Sequence, residues 1–367
     1  MRRWQLTHLV VAVFVVLWTV GSAPVATAFG TIDTGGQHRE HERITRASLS
    51  CAGDAELGKN CFAAKSMDFL AGHDREFGAV GAPDSDEIAD PRAHCDNADF
   101  LDGEYPRTLE SATEGLVDCV NHLRARFGEA VVAAGALLDT EGRIVSGEVD
   151  LDAECRVFDA AERRAKCATL ESFGRALHGA QDFYAHSNWV DEADPARAVG
   201  DANPPGLNLL GPTPVLDLRS TDPPVIPSGL STGCFVLRDE VPGVGECTER
   251  VTHAALNKDN GLVDPNSGET SGPTTPRGMV QDNFDKAVQG AITETRRQWQ
   301  DFQSELADHY GEKKAVLMTC SLSHDNPLTD CGQPDYNRLV VTAFVVLVVL
   351  LSVGMLVFRR RRRRSVV

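Results

Sequence analysis

Apolar residues recur at three- and four-residue intervals along much of the chain, the spacing that places them on one face of a helix. The pattern is clearest in the segments 44–49, 109–127, 157–189 and 279–318. Alternation of apolar and polar positions, the strand pattern, is scarce, and no internal repeat is visible. The periodicity therefore predicts an all-α fold.

The helical pattern stops between residues 194 and 247, where nine prolines and many glycines occur. Such a composition is typical of irregular backbone. We predict that this segment is a Pro-rich insertion, tied by a disulfide, within one domain that covers residues 29–320. A shorter loop, 264–276, precedes the last long helix.

The N-terminus has the features of a secretory signal peptide. Arg2 and Arg3 precede an apolar run over residues 9–20, and small residues follow at Ala26 and Ala28. We therefore expect residues 1–28 to be removed, so that the mature chain begins at Phe29.

Near the C-terminus, residues 339–358 contain no charged side chain. At about 1.5 Å per helical residue this length matches a hydrocarbon core of about 30 Å. Six arginines follow at 359–364, and basic residues of this kind stay on the cytoplasmic side. The sequence thus predicts a single-pass cell-membrane protein with an extracellular body, a linker at 321–338, a transmembrane helix at 339–358 and a cytoplasmic tail at 359–367.

The body is strongly acidic. Eight of the 36 Lys and Arg residues lie in the two terminal segments, which leaves 28 bases against 53 acids and a net charge of about −25. A surface of this sign repels nucleic acid, so we expect no nucleic-acid partner.

All ten cysteines lie in the body, and none forms the CxxC pairs typical of a zinc ribbon. Exported cysteines usually form disulfides. The spacing suggests pairing between neighbours, although sequence alone leaves the connectivity open. The suggested pairs are Cys51–Cys61, Cys95–Cys119, Cys155–Cys167, Cys234–Cys247 and Cys320–Cys331.

His178, Asp182 and His186 recur every four residues and share one helix face. Imidazole and carboxylate groups suit zinc, but the two histidines lie about 12 Å apart along the axis, too far for one ion. Asp182, between them, would then bridge two metals that activate water for a displacement at phosphorus. The alternative is a set of hydrogen bonds on a buried face.

The segment 178–189 reads His-Gly-Ala-Gln-Asp-Phe-Tyr-Ala-His-Ser-Asn-Trp. It resembles the signature of the fungal heterokaryon-incompatibility protein Het-C and of bacterial CinY-type proteins, close to H-x-x-Q-D-F-Y-x-H-S-N-W. The stretches 41–47 and 252–259 support the resemblance. These families are similar, more distantly, to zinc-dependent phospholipases C and fungal single-strand nucleases, which are all-α enzymes with three zinc ions.

The resemblance implies ligands in a set order: an N-terminal amine and a His, an Asp and a His, an H-x-x-x-D helix with a further His, and a final H-x-x-x-E. For the middle pair we favour His94 with Asp99, which also serves as the base, over Asp96 or His122. The implied metal ligands are Phe29, His41, His94, Asp99, His178, Asp182, His186, His253 and Asp259.

Two departures from that order bear on the number of metals. His186 follows Asp182 by four residues where the enzymes have six, and Asn257 stands in place of the final Glu, with Asp259 nearby. We therefore expect one to three zinc ions.

Two functions are compatible with these features. The first is a membrane-anchored, metal-dependent hydrolase of phosphate esters, with phospholipid headgroups as candidate substrates. The alternative is a non-catalytic cell-surface adhesion or recognition protein that retains a structural metal. The charge disfavours a nuclease.

Overall fold

A computed structural model describes residues 29–51, 61–74, 76–151, 155, 157–158, 164–235 and 247–331. The predicted signal peptide (1–28), the transmembrane segment (339–358) and the basic tail (359–367) lie outside the described residues, as does the part of the linker over 332–338.

The described helices follow the predicted periodicity closely, although the last predicted segment divides in two at Gly311, whose φ of 86° ends one helix. In chain order they are α1 Glu40–Leu49, α2 Ala64–Ala71, α3 Pro83–Asp86, α4 Leu109–Ala134, α5 Ala165–His186, α6 His253–Leu256, α7 Asn283–Tyr310, α8 Glu312–Ser323 and α9 Pro327–Asp330. Short 3₁₀ turns occur at Ala79–Gly81, Gly135–Leu137, Ser146–Glu148 and Pro214–Leu216.

Helix α5 forms the centre of the molecule, and α4 and α7 make its most extensive contacts. Twenty of its 22 residues are buried, including its polar ones, because neighbouring elements cover it on every side. Two glycines allow this close packing. A Cβ on Gly179 would lie 2.5 Å from the carbonyl oxygen of Ala93, and one on Gly174 would lie 2.5 Å from the Cβ of Ala79.

The N-terminal half of α5 packs into an aromatic core. The ring of Phe173 lies 4.9 Å from that of Phe302 and 5.6 Å from that of Trp299, and Phe127 of α4 contacts Phe302 at 5.5 Å. These edge and tilted arrangements are the preferred ones for buried rings. The apolar contacts stabilise this half of the helix, and the buried histidines lie on the other half.

The Pro-rich segment packs against the chain just beyond the C-terminal end of α5. Its backbone at Leu207 and Leu209 donates hydrogen bonds of 2.8 Å to the carbonyls of Asn188 and Trp189. The side-chain amide of Asn188 in turn donates to the carbonyls of Pro205 and Gly229, both at 2.8 Å. The described part of this segment is therefore ordered by side chains and backbone at the helix end rather than by regular elements of its own.

The fold is mixed rather than all-α, so the predicted fold class was wrong. About 48 % of the described residues are helical, and two small antiparallel hairpins accompany the helices. Strand β1 (Gly72–His73) pairs with β2 (Glu76–Phe77) in the register Gly72 with Phe77, and β3 (Leu262–Val263) pairs with β4 (Thr270–Ser271) in the register Leu262 with Ser271. Strands of two residues are too short to produce a visible alternation of apolar and polar positions, which is why the sequence did not predict them.

The expectation of a cell-membrane protein is also corrected. In the part of the chain that the structure describes, no helix combines the length and the apolar character needed to cross a bilayer. The long buried helix α5 owes its burial to protein contacts, since it carries two histidines, an aspartate and an arginine along its length.

Five disulfides connect the ten cysteines, and the neighbour pairing suggested by the spacing is confirmed. Each closes a loop of between 10 and 24 residues. A chain with this many disulfides is typical of an oxidising compartment outside the cytoplasm.

Lys166, near the start of α5, is fully buried. Its ammonium group donates to the hydroxyl of Ser66 at 2.9 Å and to the carbonyl of His324 at 2.6 Å. Burial disfavours the charged form and lowers the pKa of Lys166 to about 7. Two neutral acceptors do not replace the water that a charged amine loses.

We therefore expect Lys166 to make the stability depend on pH. Its pKa is lowered on folding, so the unfolded chain binds more protons above about pH 7 and the free energy of unfolding rises with pH. Relative to Lys166→Met, the wild type should gain about 2–3 kcal/mol between about pH 7 and about pH 9. Urea unfolding at the two pH values measures this difference. Parallel pH profiles for the two proteins would contradict the expectation.

Candidate metal centre

The C-terminal half of α5 presents His178, Asp182 and His186 to a buried polar centre. The other members come from separate parts of the chain. They are His41 on α1, Asp84 on α3, His94 and Asp96 in the following loop, His253 on α6, and Asp259 just after it. Apart from Asp84, whose side chain is 13 % exposed, these residues are buried.

The carboxylate of Asp182 lies in the middle of the centre and faces three imidazoles. Its Oδ2 is 3.0 Å from Nε2 of His178 and 3.0 Å from Nδ1 of His94. Its Oδ1 is 3.1 Å from Nε2 of His41. Burial acts to raise the pKa of Asp182, but the neighbouring histidines outweigh it and hold the pKa well below its usual value. The carboxylate is therefore ionised although no water reaches it.

Asp84 completes this group, and the sequence analysis did not select it. Its Oδ1 lies 3.7 Å from Nε2 of His178 and 3.9 Å from Nδ1 of His94. The hydroxyl of Thr31 donates to its other oxygen, which holds the carboxylate in place. One signal was present in the sequence, because Asp84 precedes His94 and the resemblance implies an Asp followed by a His.

His186, His253 and Asp259 form a second group beside the first. Nε2 of His186 is 3.1 Å from Oδ1 of Asp259, and Nε2 of His253 is 3.5 Å from Oδ2 of the same carboxylate. Nε2 of His186 also lies 4.0 Å from Oδ1 of Asp182. The two groups are thus adjacent, and Asp182 lies between them.

Four of the histidines use Nδ1 to donate a hydrogen bond to an acceptor that orients the ring. These bonds join His178 to the Val80 carbonyl at 2.8 Å, His41 to Oε1 of Gln181 at 2.7 Å, His186 to the His94 carbonyl at 3.1 Å and His253 to Oδ2 of Asp96 at 3.0 Å. In a neutral ring Nδ1 then carries the proton, so the lone pair is on Nε2, which faces the centre. Metal-ligating histidines are oriented in this way.

Asp96 has an orienting position rather than a ligand position in this arrangement. Its Oδ2 lies on the Nδ1 side of both His253, at 3.0 Å, and His186, at 3.4 Å. Burial acts to raise the pKa of Asp96, but the charges and hydrogen bonds of these two histidines outweigh it and lower the pKa to about 2. The carboxylate therefore stays ionised and fixes the two rings.

Gln181 holds His41 from the side away from the centre. Its amide nitrogen donates to the hydroxyls of Thr45 and Thr295, both at 3.0 Å, and these two bonds fix the orientation of the amide. The amide oxygen must then face Nδ1 of His41. Individually Gln181 gave no sequence signal beyond its place in the motif, because its role depends on two threonines from distant helices.

Several buried polar atoms of the centre have no hydrogen-bond partner among the described residues. They are Nε2 of His41, Nε2 of His94, Oδ1 of Asp182, Oδ1 of Asp96 and Oδ2 of Asp259. Leaving such atoms unpaired away from water is costly. Imidazole nitrogens and carboxylate oxygens that face one another at 3–4 Å match, when the rings are neutral, the ligand set of a divalent metal ion such as zinc. The described residues therefore contain groups able to hold metal ions.

Other predicted residues have different surroundings. Asp99 lies outside these groups and accepts hydrogen bonds from Arg107 at 3.0 Å, Arg250 at 2.6 Å and Tyr105 at 2.6 Å. Phe29 is buried with its ring edge-on to His41 at 5.8 Å, so the start of the described chain lies beside the centre.

Asn257, which takes the place of the final Glu, directs its amide nitrogen at Nε2 of His253, at 3.2 Å. Its side-chain oxygen accepts a hydrogen bond from the backbone N–H of Asp259, which fixes the orientation of the Asn257 amide. A further group of donors, Cys320, His324 and Cys331, lies at the C-terminal end of the described chain, but its two sulfurs form a disulfide and are not available as thiolate ligands.

Comparisons with protein families, with characterised proteins and with solved structures found no match for this chain.

We expect Gln181→Leu to weaken zinc binding about tenfold to hundredfold, the usual effect of losing an outer partner of a ligating histidine. The ring of His41 would keep its place but lose the acceptor that holds the proton on Nδ1. Zinc affinity, measured by competition with a chromogenic chelator, tests this expectation.

Gln298→Leu is the matched control, because Gln298 is a buried glutamine whose side-chain amide donates hydrogen bonds to the Leu216 carbonyl and to Glu294. Both variants lose a buried amide, but only the first should change zinc affinity. Equal zinc affinities for Gln181→Leu and wild type would show that the tautomer of His41 is set in another way.

Proposed function

We propose that this protein is an exported, metal-dependent hydrolase of phosphate esters. The observation that carries the proposal is the convergence of imidazole and carboxylate groups from distant parts of the chain around the buried carboxylate of Asp182. Several of the buried nitrogen and oxygen atoms have no hydrogen-bond partner among the described residues, and a metal ion would satisfy them.

The arrangement supports more than one metal ion. His94, His178, Asp182 and Asp84 form one set of four donors. His186, His253 and Asp259 form another, and His41 shares Asp182 with the first. A carboxylate shared between neighbouring metals is the usual bridge in sites that act on phosphate esters.

The order of these donors along the chain is consistent with the resemblance to zinc-dependent phospholipases C and fungal single-strand nucleases. His41 comes first, Asp84 and His94 follow, His178 and Asp182 share a helix, and His253 comes last. In this assignment Asp84 takes the middle position for which Asp99 was favoured from sequence.

A divalent ion in such a centre lowers the pKa of a bound water and neutralises charge on a phosphate oxygen. The chain itself supplies the proton acceptor. Asp84 is the most exposed carboxylate of the centre, at 13 %, and its second oxygen is already held by Thr31. A carboxylate fixed at the edge of the site, in reach of water, is suited to accept the proton of an attacking water.

The overall charge bears on the substrate. With a body charge of about −25, polyanions such as nucleic acid are repelled at long range, whereas a small phosphate ester or a zwitterionic phospholipid headgroup carries little net charge to repel. We therefore favour small or zwitterionic phosphodiesters as substrates.

One observation favours a second candidate, a non-catalytic protein with a structural metal. The side chains of His41, His178, Asp182 and His186 are fully buried, and closed sites of this kind are typical of structural zinc. In this reading the metal would hold α1, α5 and the segment after α6 together and would not be reached by substrate.

His178→Ala and Asp84→Asn test the hydrolase. His178→Ala removes a central ligand, so we expect bound zinc and phosphodiesterase activity to fall together. Asp84→Asn keeps the shape but loses the proton acceptor, so activity should fall about 10²- to 10⁴-fold. Zinc content is measured by mass spectrometry, and activity with bis(p-nitrophenyl) phosphate and with phosphatidylcholine micelles.

Two further variants make this test specific. Asp33→Asn, on an exposed side chain outside the centre, is the control and should leave zinc and activity unchanged. Asp99→Asn decides between the two aspartates proposed as base. It should lower stability, because it removes the charge opposite Arg107 and Arg250, but it should leave the rate of hydrolysis near that of wild type. Stoichiometric zinc without turnover on either substrate would favour the structural metal instead.

A further inference from the structure

A cavity of about 690 Å³ lies on the side of α6 away from the metal centre. Thr252, Ala254 and Ala255 line it, whereas His253, between them, is buried in the metal centre. The opposite walls come from the Pro-rich segment, with Asp194 and Arg197 among others, and from the loop before α7. Cavities of about 300–1,000 Å³ are the usual size for small-molecule sites.

One wall of this cavity contains a buried arginine. Arg277, which lines it, makes two hydrogen bonds to the carboxylate of Asp191, at 2.8 and 2.9 Å. The ammonium group of Lys258 shares the same carboxylate at 3.0 Å. All three side chains are buried, and Lys258 also donates to the carbonyls of Ser187 and Leu256, at 2.9 and 2.7 Å. Asp259, next to Lys258 in sequence, directs its oxygens at His186 and His253 instead.

The rim of the cavity adds another cation. The guanidinium of Arg197 is exposed, and no acidic side chain among the described residues lies within ion-pair distance of it. Asp194 is the one described acid at the rim, and one of its oxygens accepts a bond from the backbone of Ala196 at 2.9 Å. The charged residues that line the cavity are thus two arginines and one aspartate, although the body as a whole is strongly acidic.

The remaining lining is apolar. Pro195, Pro276, Met279, Val280 and the two alanines of α6 contribute carbon surface around the charged groups. A cavity with a few charged groups and an apolar wall matches a ligand that has both a charged head and a hydrocarbon part.

We propose that this cavity binds a small organic anion that has a carboxylate or phosphate head and an apolar tail. The head lies at Arg197, where a charge-assisted bond with a planar guanidinium is available. This site is separate from the metal centre and does not depend on the proposed hydrolysis.

Calorimetric titration of the whole protein with hexanoate and with hexyl phosphate tests the proposal. Hexanol, which has the tail without the charge, and inorganic phosphate, which has the charge without the tail, should both bind more weakly. Arg197→Ala should weaken binding of the two amphiphilic anions about tenfold or more, because a charge-assisted hydrogen bond is lost.

The variants are chosen to keep the protein folded. Arg197 and Gln281 are both exposed at the rim. Gln281→Glu places a negative charge there and should weaken the binding of the same anions. Arg143→Ala is the control, because Arg143 is 73 % exposed and pairs with Asp139 away from the cavity. Thermal unfolding verifies that each variant is folded.

The charged groups of hexanoate and hexyl phosphate distinguish the chemical class of the ligand. Binding of hexanoate alone would assign carboxylates to the cavity, and binding of hexyl phosphate alone would assign phosphate esters. No binding of either, or equal binding to wild type and Arg197→Ala, would overturn the proposal.

Discussion

The burial of the Asp182 carboxylate is the constraint on which the rest of the structure depends. An ionised carboxylate without water is stable only when opposite charge or strong hydrogen-bond donors surround it. Here three imidazoles lie within about 3 Å of its oxygens and balance its charge when they are protonated. Each of these rings must come from a different part of the chain, so the helices and loops that carry them have to meet at this point.

The packing around α5 meets that requirement by close backbone approach. At Gly174 the absence of a side chain brings the turn at Ala79–Gly81 against the helix, and the Val80 carbonyl can then accept from His178. At Gly179 the loop before His94 approaches in the same way. The aromatic core around Phe173 stabilises the other half of the helix, so the apolar contacts and the polar centre occupy separate lengths of α5.

Hydrogen bonds on the outer side of the histidine rings fix their orientation. Val80, Gln181, Asp96 and the backbone of His94 each accept a hydrogen bond from Nδ1 of a histidine. These bonds fix the rings and direct every second nitrogen inward. The residues of α6 also lie in two different surroundings. His253 lies in the metal centre, and its neighbours in sequence line the cavity.

Some of this followed from sequence alone. Periodicity located the main helices, cysteine spacing suggested the disulfide pairs, and the four-residue spacing placed His178, Asp182 and His186 on one face, because these are local properties of the chain. Strands of two residues left no pattern, which is why the all-α expectation failed. The tertiary structure alone decided that Asp84 rather than Asp99 faces His94, and that Gln181 and Asp96 orient the histidines. Those relations join residues far apart in the chain, and only the packing of the folded backbone determines which side chains meet.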